Sequence, residues 1–521
     1  MFSIQIPRTF TKNIGFTLKS ITTAVALLAG GSTFAAATGG FATTSGGNVT
    51  GAKSFTAATY PEINAIIANA FLDANGTKVT GGAYPVVITY TGNEDALIAQ
   101  IVKDQTVDAA GNCPKPHWND AYRVVEIKEF TKGVTILGAN GSSANFGIVV
   151  NNSSNVIIRN MKIGALGGAS NDADMVRIDS GLNVLVDHNE LFAVDNECNG
   201  SPDGDLTFES AIDIKKNSHN ITVSYNFIHD SKKVGLDGSS STDIAGGREI
   251  TYHHNIYKTV NARLPLQRGG WTHIYNNFYD NITSSGINVR QAGYSLIESN
   301  WFQNSLNPIT CRYDSSNCGF WDLRNNNIRT PGDFATYNIT WTSGGTIDAT
   351  NWTTTAPFPI TIPYSYSPVT PQCLKDKLAQ YAGVGKNSAQ LTAAVCSGTT
   401  SSSASTSTRS SSSVATSASS SRRSSSVASS ASSSRTSSSK SSSSVTSGPV
   451  LTGTGDYPDG FSKCADLGET CTVGSGDGWV AFGRKGKWVT KHASVPGSIA
   501  CTVAAFGSDP VGDPNKCSYK H

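Results

Sequence analysis

Short runs of β-branched and aromatic residues, each leading into an asparagine and then into another apolar stretch, recur through the middle of the chain. They are Val156-Ile157-Ile158-Arg159-Asn160, Val184-Leu185-Val186-Asp187-His188-Asn189, Ile221-Thr222-Val223-Ser224-Tyr225-Asn226, Ile250-Thr251-Tyr252-His253-His254-Asn255, His273-Ile274-Tyr275-Asn276-Asn277, Leu296-Ile297-Glu298-Ser299-Asn300 and Leu323-Arg324-Asn325-Asn326-Asn327. The asparagines advance by 29, 37, 29, 22, 23 and 27 residues. Short strands separated by turn residues, with little helical periodicity, predict an all-β solenoid, and the unequal intervals predict loops of different length inserted into similar coils. Stacked strands lie about 4.8 Å apart. An asparagine at the same corner of each coil can therefore donate its amide to the next and build a ladder. A β-sandwich with asparagine in its turns is the competing architecture, and seven recurrences favour the solenoid.

A stack needs its ends covered. Residues 63–71 have helical spacing and are expected to cap the N-terminal end. The irregular segment 352–396, with Cys373, Cys396 and a helix-like stretch at 374–381, is expected to cap the other. Beyond it the pattern stops. Of the 52 residues 397–448, 30 are Ser and none is aromatic. Such a tract buries no core and reads as a flexible linker spanning roughly 40 Å; a phosphorylated or RNA-binding Ser/Arg tract is the alternative. Residues 449–521 carry four cysteines and the aromatics Tyr457, Phe461, Trp479, Phe482, Trp488, Phe506 and Tyr519, a small module in need of disulfide staples. At the other terminus Arg8, Lys12 and Lys19 precede the apolar run Ala24-Val25-Ala26-Leu27-Leu28-Ala29 and then Ala35-Ala36-Ala37. This is the pattern of a secretory signal peptide cleaved after the alanines, and no later stretch is long enough to span a bilayer. The expected organisation is thus a leader at 1–37, a β-solenoid at 38–396, a linker at 397–448 and a Cys-rich β module at 449–521.

Composition sharpens this in two respects. The 40 Lys and Arg against 38 Asp and Glu leave a formal charge of +2 among 521 residues, so no global charge argues for nucleic acid or a membrane as partner. The ten cysteines suit an oxidising destination, and disulfides are the expectation. Zinc is disfavoured because no CxxC pair occurs and no histidine stands at finger spacing. Six cysteines precede the linker and four follow it, so pairing within each domain is possible.

Acids and bases concentrate in the solenoid. Asp172 and Asp174 are two apart and Glu209 and Asp213 four apart, spacings that keep each pair on one face of a strand. If their coils stack, four carboxylates converge and require a cation to offset their repulsion. Oxygen-only donors favour calcium over a transition metal. The alternatives are that these are solvated loop acids, or that two of them are the acid and base of a glycosidase. Lys215, Lys232, Lys233, Arg263, Arg268 and Arg290 follow in the same coils. A groove combining a calcium site with fixed cations suits a carboxylated polysaccharide, since Arg grips carboxylates bidentately. Arg263 and Arg268 are five apart, so both reach one groove only if the backbone bends near Pro265. His188 is expected to be structural, because it lies in the strand leading into the ladder.

Asp172-Ala173-Asp174-Met175-Val176-Arg177, Val186-Asp187-His188-Asn189-Glu190, Phe208-Glu209-Ser210-Ala211-Ile212-Asp213-Ile214, Lys232-Lys233-Val234-Gly235-Leu236-Asp237-Gly238 and the stretch 262–270 resemble, in order, the signature segments of the extracellular pectate lyases of polysaccharide lyase family 1. The resemblance covers about 38–397. It implies a right-handed parallel β-helix, a monomer, and calcium-dependent, endo-acting β-elimination of polygalacturonate. It further implies that Asp172, Asp174, Glu209 and Asp213 hold the primary calcium, with Asp203 and Asp205 helping to bind more. Lys215, Lys233 and Arg268 would grip substrate carboxylates and stabilise developing charge, Arg263 would be the base, and Arg290 would make a subsite contact. By the same comparison Cys113 pairs with Cys198 and Cys373 with Cys396; Cys311 and Cys318 are paired by proximity alone. The tail resembles small modules appended to secreted carbohydrate-active enzymes, which implies carbohydrate binding, with Trp479 and Trp488 as candidates either for stacking on sugar rings or for the module's core. A pectin hydrolase, a pectin lyase preferring methyl esters and a non-catalytic binding solenoid remain the rivals, and the four-acid set counts against the pectin lyase.

Overall fold

The computed structural model describes residues 39–115, 123–167, 173–198, 207–244, 248–312, 317–398, 451–474, 478–493, 497–506, 510 and 515–520. The expected leader, most of the linker, and Asp172, Asp203 and Asp205 lie outside the described residues. The chain divides into two compact units, Met1–Thr406 and Ser407–His521.

In the first unit the chain circulates through three sheets. One coil runs through strands Ile212–Lys215, His219–Ser224 and Phe227–Lys233, and the next begins at Gly235–Asp237, which pairs in parallel with Ile212–Lys215. Among the described residues the sheets hold ten, seven and nine strands. Within these sheets the strands pair in parallel except where Gly345–Asp348 runs antiparallel to Ile309–Arg312. This is a parallel β-helix. Its interior is filled by like residues in successive coils, such as Ile148, Val176 and Ile212 or the stacked rings Tyr257, Tyr279 and Phe302, whose centroids lie 5.0 and 4.7 Å apart.

The asparagine ladder is present, with a corrected register. Asn189, Asn226, Asn255, Asn277 and Asn300 each pass a side-chain amide hydrogen bond to the next, ending at Asn326, at 2.9–3.1 Å. The preceding residue of each, from His188 (φ 54°) through Tyr225, His254, Asn276 and Ser299 to Asn325 (φ 50°), is left-handed and turns the corner. Asn160 occupies that turning position (φ 55°) rather than the ladder. The ladder position in its coil belongs to Met161, whose N–H donates to Asn189. Asn327, by contrast, lies one residue past the ladder position, Asn326.

Helix Tyr60–Asn69 starts at Thr59, whose hydroxyl accepts from the Glu62 N–H, and buries Ile63 and Ile67 in the core at the N-terminal end. At the opposite end Trp352 packs on Phe302 and Phe334. The rest of 352–396 is not the expected end cap. It returns along the flank of the ten-stranded sheet, where Tyr364 meets Thr251 and His273, Val369 bonds Asn276, and the Gly385 N–H bonds Asn160. Its helix spans Pro371–Lys377, with Leu374 and Leu378 packed near Tyr225 and Trp301. Disulfides join Cys113 to Cys198, Cys311 to Cys318 and Cys373 to Cys396.

The second unit has an antiparallel sheet ordered Ser462–Asp466, Lys516–Tyr519, Trp479–Arg484, Lys487–His492, and a second pair of strands, Thr470–Val473 and Gly497–Ala500. Val473, Val480 and Phe482 form its core beside the Cys464–Cys471 and Cys501–Cys517 disulfides. Trp479 and Trp488 are half-buried and outside that core.

Candidate active site

Strand Ile212–Lys215 sets the centre of the site. Ile212 and Ile214 point into the core, so alternation directs Asp213 and Lys215 outward. The neighbouring coils continue both rows. Asp213 pairs with Arg177 on one side and Leu236 on the other, while Lys215 pairs with Asp179. Farther along the same sheet Arg268 pairs with Arg290.

Lys215 Nζ lies 3.2 Å from Asp174 Oδ2 and 2.9 Å from Asp213 Oδ2. The other oxygen of Asp174 accepts from the Ser210 N–H, and that of Asp213 from the Leu236 N–H. Both acids are buried, at 1% and 3% exposure. Glu209 is more open and receives Lys233 Nζ at 3.1 Å on each oxygen. Asp213 thus reaches the site by strand alternation, but Asp174 and Glu209 do not. Each precedes its strand, Val176–Asp179 or Ile212–Lys215, and lies outside it.

The two arginines stand on either side of a bend. Ala262 ends strand Ile256–Ala262 and pairs with Lys233. Arg263 follows at φ 70°, the Leu264–Pro265 peptide is cis, and strand Leu266–Arg268 begins immediately after. Leu264 is buried in the core. The half-buried Arg263 side chain makes no hydrogen bond or ion pair among the described residues. Arg268 Nη1 donates to the Gly238 carbonyl at 2.6 Å, and Arg290 Nε to Asn288 Oδ1 at 3.2 Å.

Among the described residues no three acids, histidines or cysteines converge in the manner of a formed metal site. Lys215 bridges Asp174 and Asp213 instead, and Lys233 pairs with Glu209. The donors nevertheless fit a hard divalent cation: all are carboxylate oxygens, and three buried or half-buried carboxylates face two lysines, with Asp172 two residues from Asp174. His188 is structural. Its Nδ1 lies 2.8 Å from Asp187, and its ring stacks on Tyr225 at 4.8 Å.

Sequence reasoning passed over several groups here. Arg177 and Asp179 share the outward face of their strand and were open to the same alternation argument. Glu197 and Asp237 gave no such hint. Burial pushes the Glu197 carboxyl up to about 7, against the lowering effect of the Phe208 N–H and of Lys232 and Lys233. Burial likewise pushes Asp237 up to about 7, although the Tyr252 hydroxyl donates to it at 2.6 Å.

Comparison with known proteins places this geometry. A family model described as pectate lyase matches residues 15–387. Pectate lyase 3 of Pectobacterium atrosepticum is 60% identical over 383 residues, 73% of this chain and 99% of that protein. Pectate lyase C of Dickeya chrysanthemi is 60% identical over 361 residues, 69% of this chain and 93% of that protein. Among solved structures, pectate lyase C from Erwinia chrysanthemi at pH 9.5 with 30 mM Ca2+ superposes with a TM-score of 0.65 at 59% identity, covering 70% of this chain and all of that one. An arginine-to-lysine mutant of pectate lyase C in complex with pentagalacturonic acid matches equally, with a TM-score of 0.65 and 59% identity over 70% of this chain. The chain belongs to the pectate lyase family.

Proposed function

We propose that this protein is a secreted, endo-acting pectate lyase that cleaves polygalacturonate by calcium-dependent β-elimination, releasing 4,5-unsaturated oligogalacturonates. The observation that carries this is the juxtaposition of the Asp174, Asp213 and Glu209 carboxylates with Lys215 and Lys233, on the sheet that also bears Arg268 and Arg290. A uronate polymer needs such a run of fixed cations, and its relatives include a lyase solved with pentagalacturonic acid.

Asp174, Glu209 and Asp213, together with Asp172, would hold the calcium, with Asp203 and Asp205 assisting further ions. When bound, calcium would draw charge from the uronate carboxylate and so acidify the neighbouring C5 proton. Arg263 accepts that proton. The C5–H electrons form the C4–C5 double bond, the C4–oxygen bond breaks, and the departing oxygen takes a proton from water. Lys233 and Arg268 stabilise the negative charge that builds on the carboxylate in between, while Lys215 and Arg290 hold substrate carboxylates. A guanidinium is a poor base near neutrality, so turnover is expected to rise into the alkaline range.

The leader 1–37 would direct export, which the five disulfides support. After the linker, the module 449–521 would bind cell-wall carbohydrate, and the chain would act as a monomer. Mass analysis of the products tests the chemistry: oligogalacturonates lighter by one water than hydrolysis products support elimination, and saturated products alone would overturn it.

A further inference from the structure

Arg248 is almost completely buried, with its side chain 1% exposed. A buried guanidinium is costly unless its donors are matched; here Nη1 and Nη2 are spent on backbone carbonyls and on Asp243, while Nε has no partner among the described residues. Nη1 donates to the Lys216 carbonyl at 3.0 Å and to Asp243 Oδ1 at 2.8 Å. Nη2 donates to the carbonyls of Arg268 at 2.5 Å, Asp243 at 2.7 Å and Asp237 at 3.5 Å. Asp243 completes the assembly from its other oxygen, which accepts from the Lys216 and Ser239 N–H groups at 3.0 and 2.8 Å and from the Ser239 hydroxyl.

The backbones so joined are the ends of three consecutive strands of the groove sheet, Ile212–Lys215, Gly235–Asp237 and Leu266–Arg268. Lys215 directly precedes the clasped Lys216. Gly238, next to Asp237, offers the carbonyl that holds the Arg268 guanidinium. Arg268 is itself clasped. Gly238 is at φ 100°, where a Cβ would come within 2.7 Å of Arg248 Nη2 and 3.2 Å of Arg268 Cβ, and at Gly270 a Cβ would come within 2.7 Å of the Arg248 carbonyl. Those glycines make the close approach possible.

We infer that the Asp243–Arg248 pair is a positioning device for catalysis, fixing the spacing of three coil ends so that the Arg268 guanidinium is held by Gly238 and presented to substrate. The inference rests on the lyase reading of the groove. The test is a double-mutant cycle on kcat and KM for polygalacturonate, using Arg248→Lys, Arg268→Ala and the double variant, with thermal unfolding to confirm that each folds. Arg248→Lys keeps the charge but cannot span the carbonyls, and is expected to lower kcat/KM about 10- to 100-fold, as a small misplacement of a catalytic group does. The double variant is expected to match Arg268→Ala within about threefold, because the clasp acts through Arg268. Losses that multiply, or wild-type kinetics for Arg248→Lys, would overturn the inference. If Arg248→Lys does not fold, Asp243→Asn loosens the same clasp from its more exposed side, and the same cycle decides. Inactive wild-type protein would instead refute the lyase reading itself.

Discussion

Asn255→Ala tests the ladder where it is continuous on both sides. The Asn255 side chain is fully buried and makes four bonds. Its Oδ1 accepts from the Asn226 N–H at 3.0 Å and Nδ2–H at 2.9 Å, and its Nδ2 donates to the Val223 carbonyl and Asn277 Oδ1, both at 2.9 Å. Truncation orphans the buried Asn226 N–H, at about 1–3 kcal/mol, and deletes three further bonds of about 1 kcal/mol each. Coupling along the ladder makes simple addition too generous, so the expected loss is about 4 kcal/mol. That is a large part of the roughly 5–15 kcal/mol by which a native domain is stable, and corresponds to a fall in Tm of roughly 5–10 °C for the major transition. Urea unfolding and calorimetry should show it, with the exposed Asn75→Ala within about 0.5 kcal/mol of wild type. A loss for Asn255→Ala of under about 1 kcal/mol would refute the idea that the ladder's hydrogen bonds stabilise the stack.

Acid should destabilise the β-helix through the histidines under the returning 352–396 segment. Burial lowers His253 to about 3 and holds His254 well below its usual range; their Nδ1 atoms lie 2.9 Å apart. Asp187 and His188 face them, as do Tyr225 and Tyr275, while His273 is tied to Glu298. Both pKa values are depressed on folding, so this stability is complete above about 6.5 and is lost as pH falls from there towards 3, by up to about 1.4 kcal/mol per pH unit for each histidine. A urea midpoint flat from pH 8 to 7 and falling by pH 5 is expected; one unchanged at pH 5 contradicts it. Arg263→Lys should lower kcat by about 100-fold or more with little change in KM, and near-full turnover with unchanged binding would remove Arg263 as the base. Deleting residues 449–521 should reduce retention on insoluble cell-wall material while sparing activity on soluble substrate, and equal retention would argue against a binding role.

What the sequence revealed depended on whether a residue's position followed from strand alternation. The Asn ladder was visible because one residue type recurs at one corner, yet Asn160 and Asn327 were each one place out. The left-handed residue that turns the corner sets the register, and in Asn325-Asn326-Asn327 identity alone cannot say which asparagine that is. Asp213 followed from its strand, whereas Asp174 and Glu209 lie ahead of their strands, where alternation does not apply. The bend required between Arg263 and Arg268 is present at Leu264–Pro265. Arg248 left no trace, since a lone arginine in a loop carries no periodicity; only the fold brings four carbonyls around it. The segment 352–396 looked like a cap because it lacks strand pattern, but the exposed side of the ten-stranded sheet, with its histidines and tyrosines, is what it covers.

The most direct test of the whole account is the ultraviolet absorbance of the unsaturated product during incubation with polygalacturonate, first with added calcium and then after chelation. Absorbance that rises with calcium and stops with chelator is the predicted result. New reducing ends without absorbance, or absorbance that the chelator leaves unchanged, would contradict a calcium-dependent lyase.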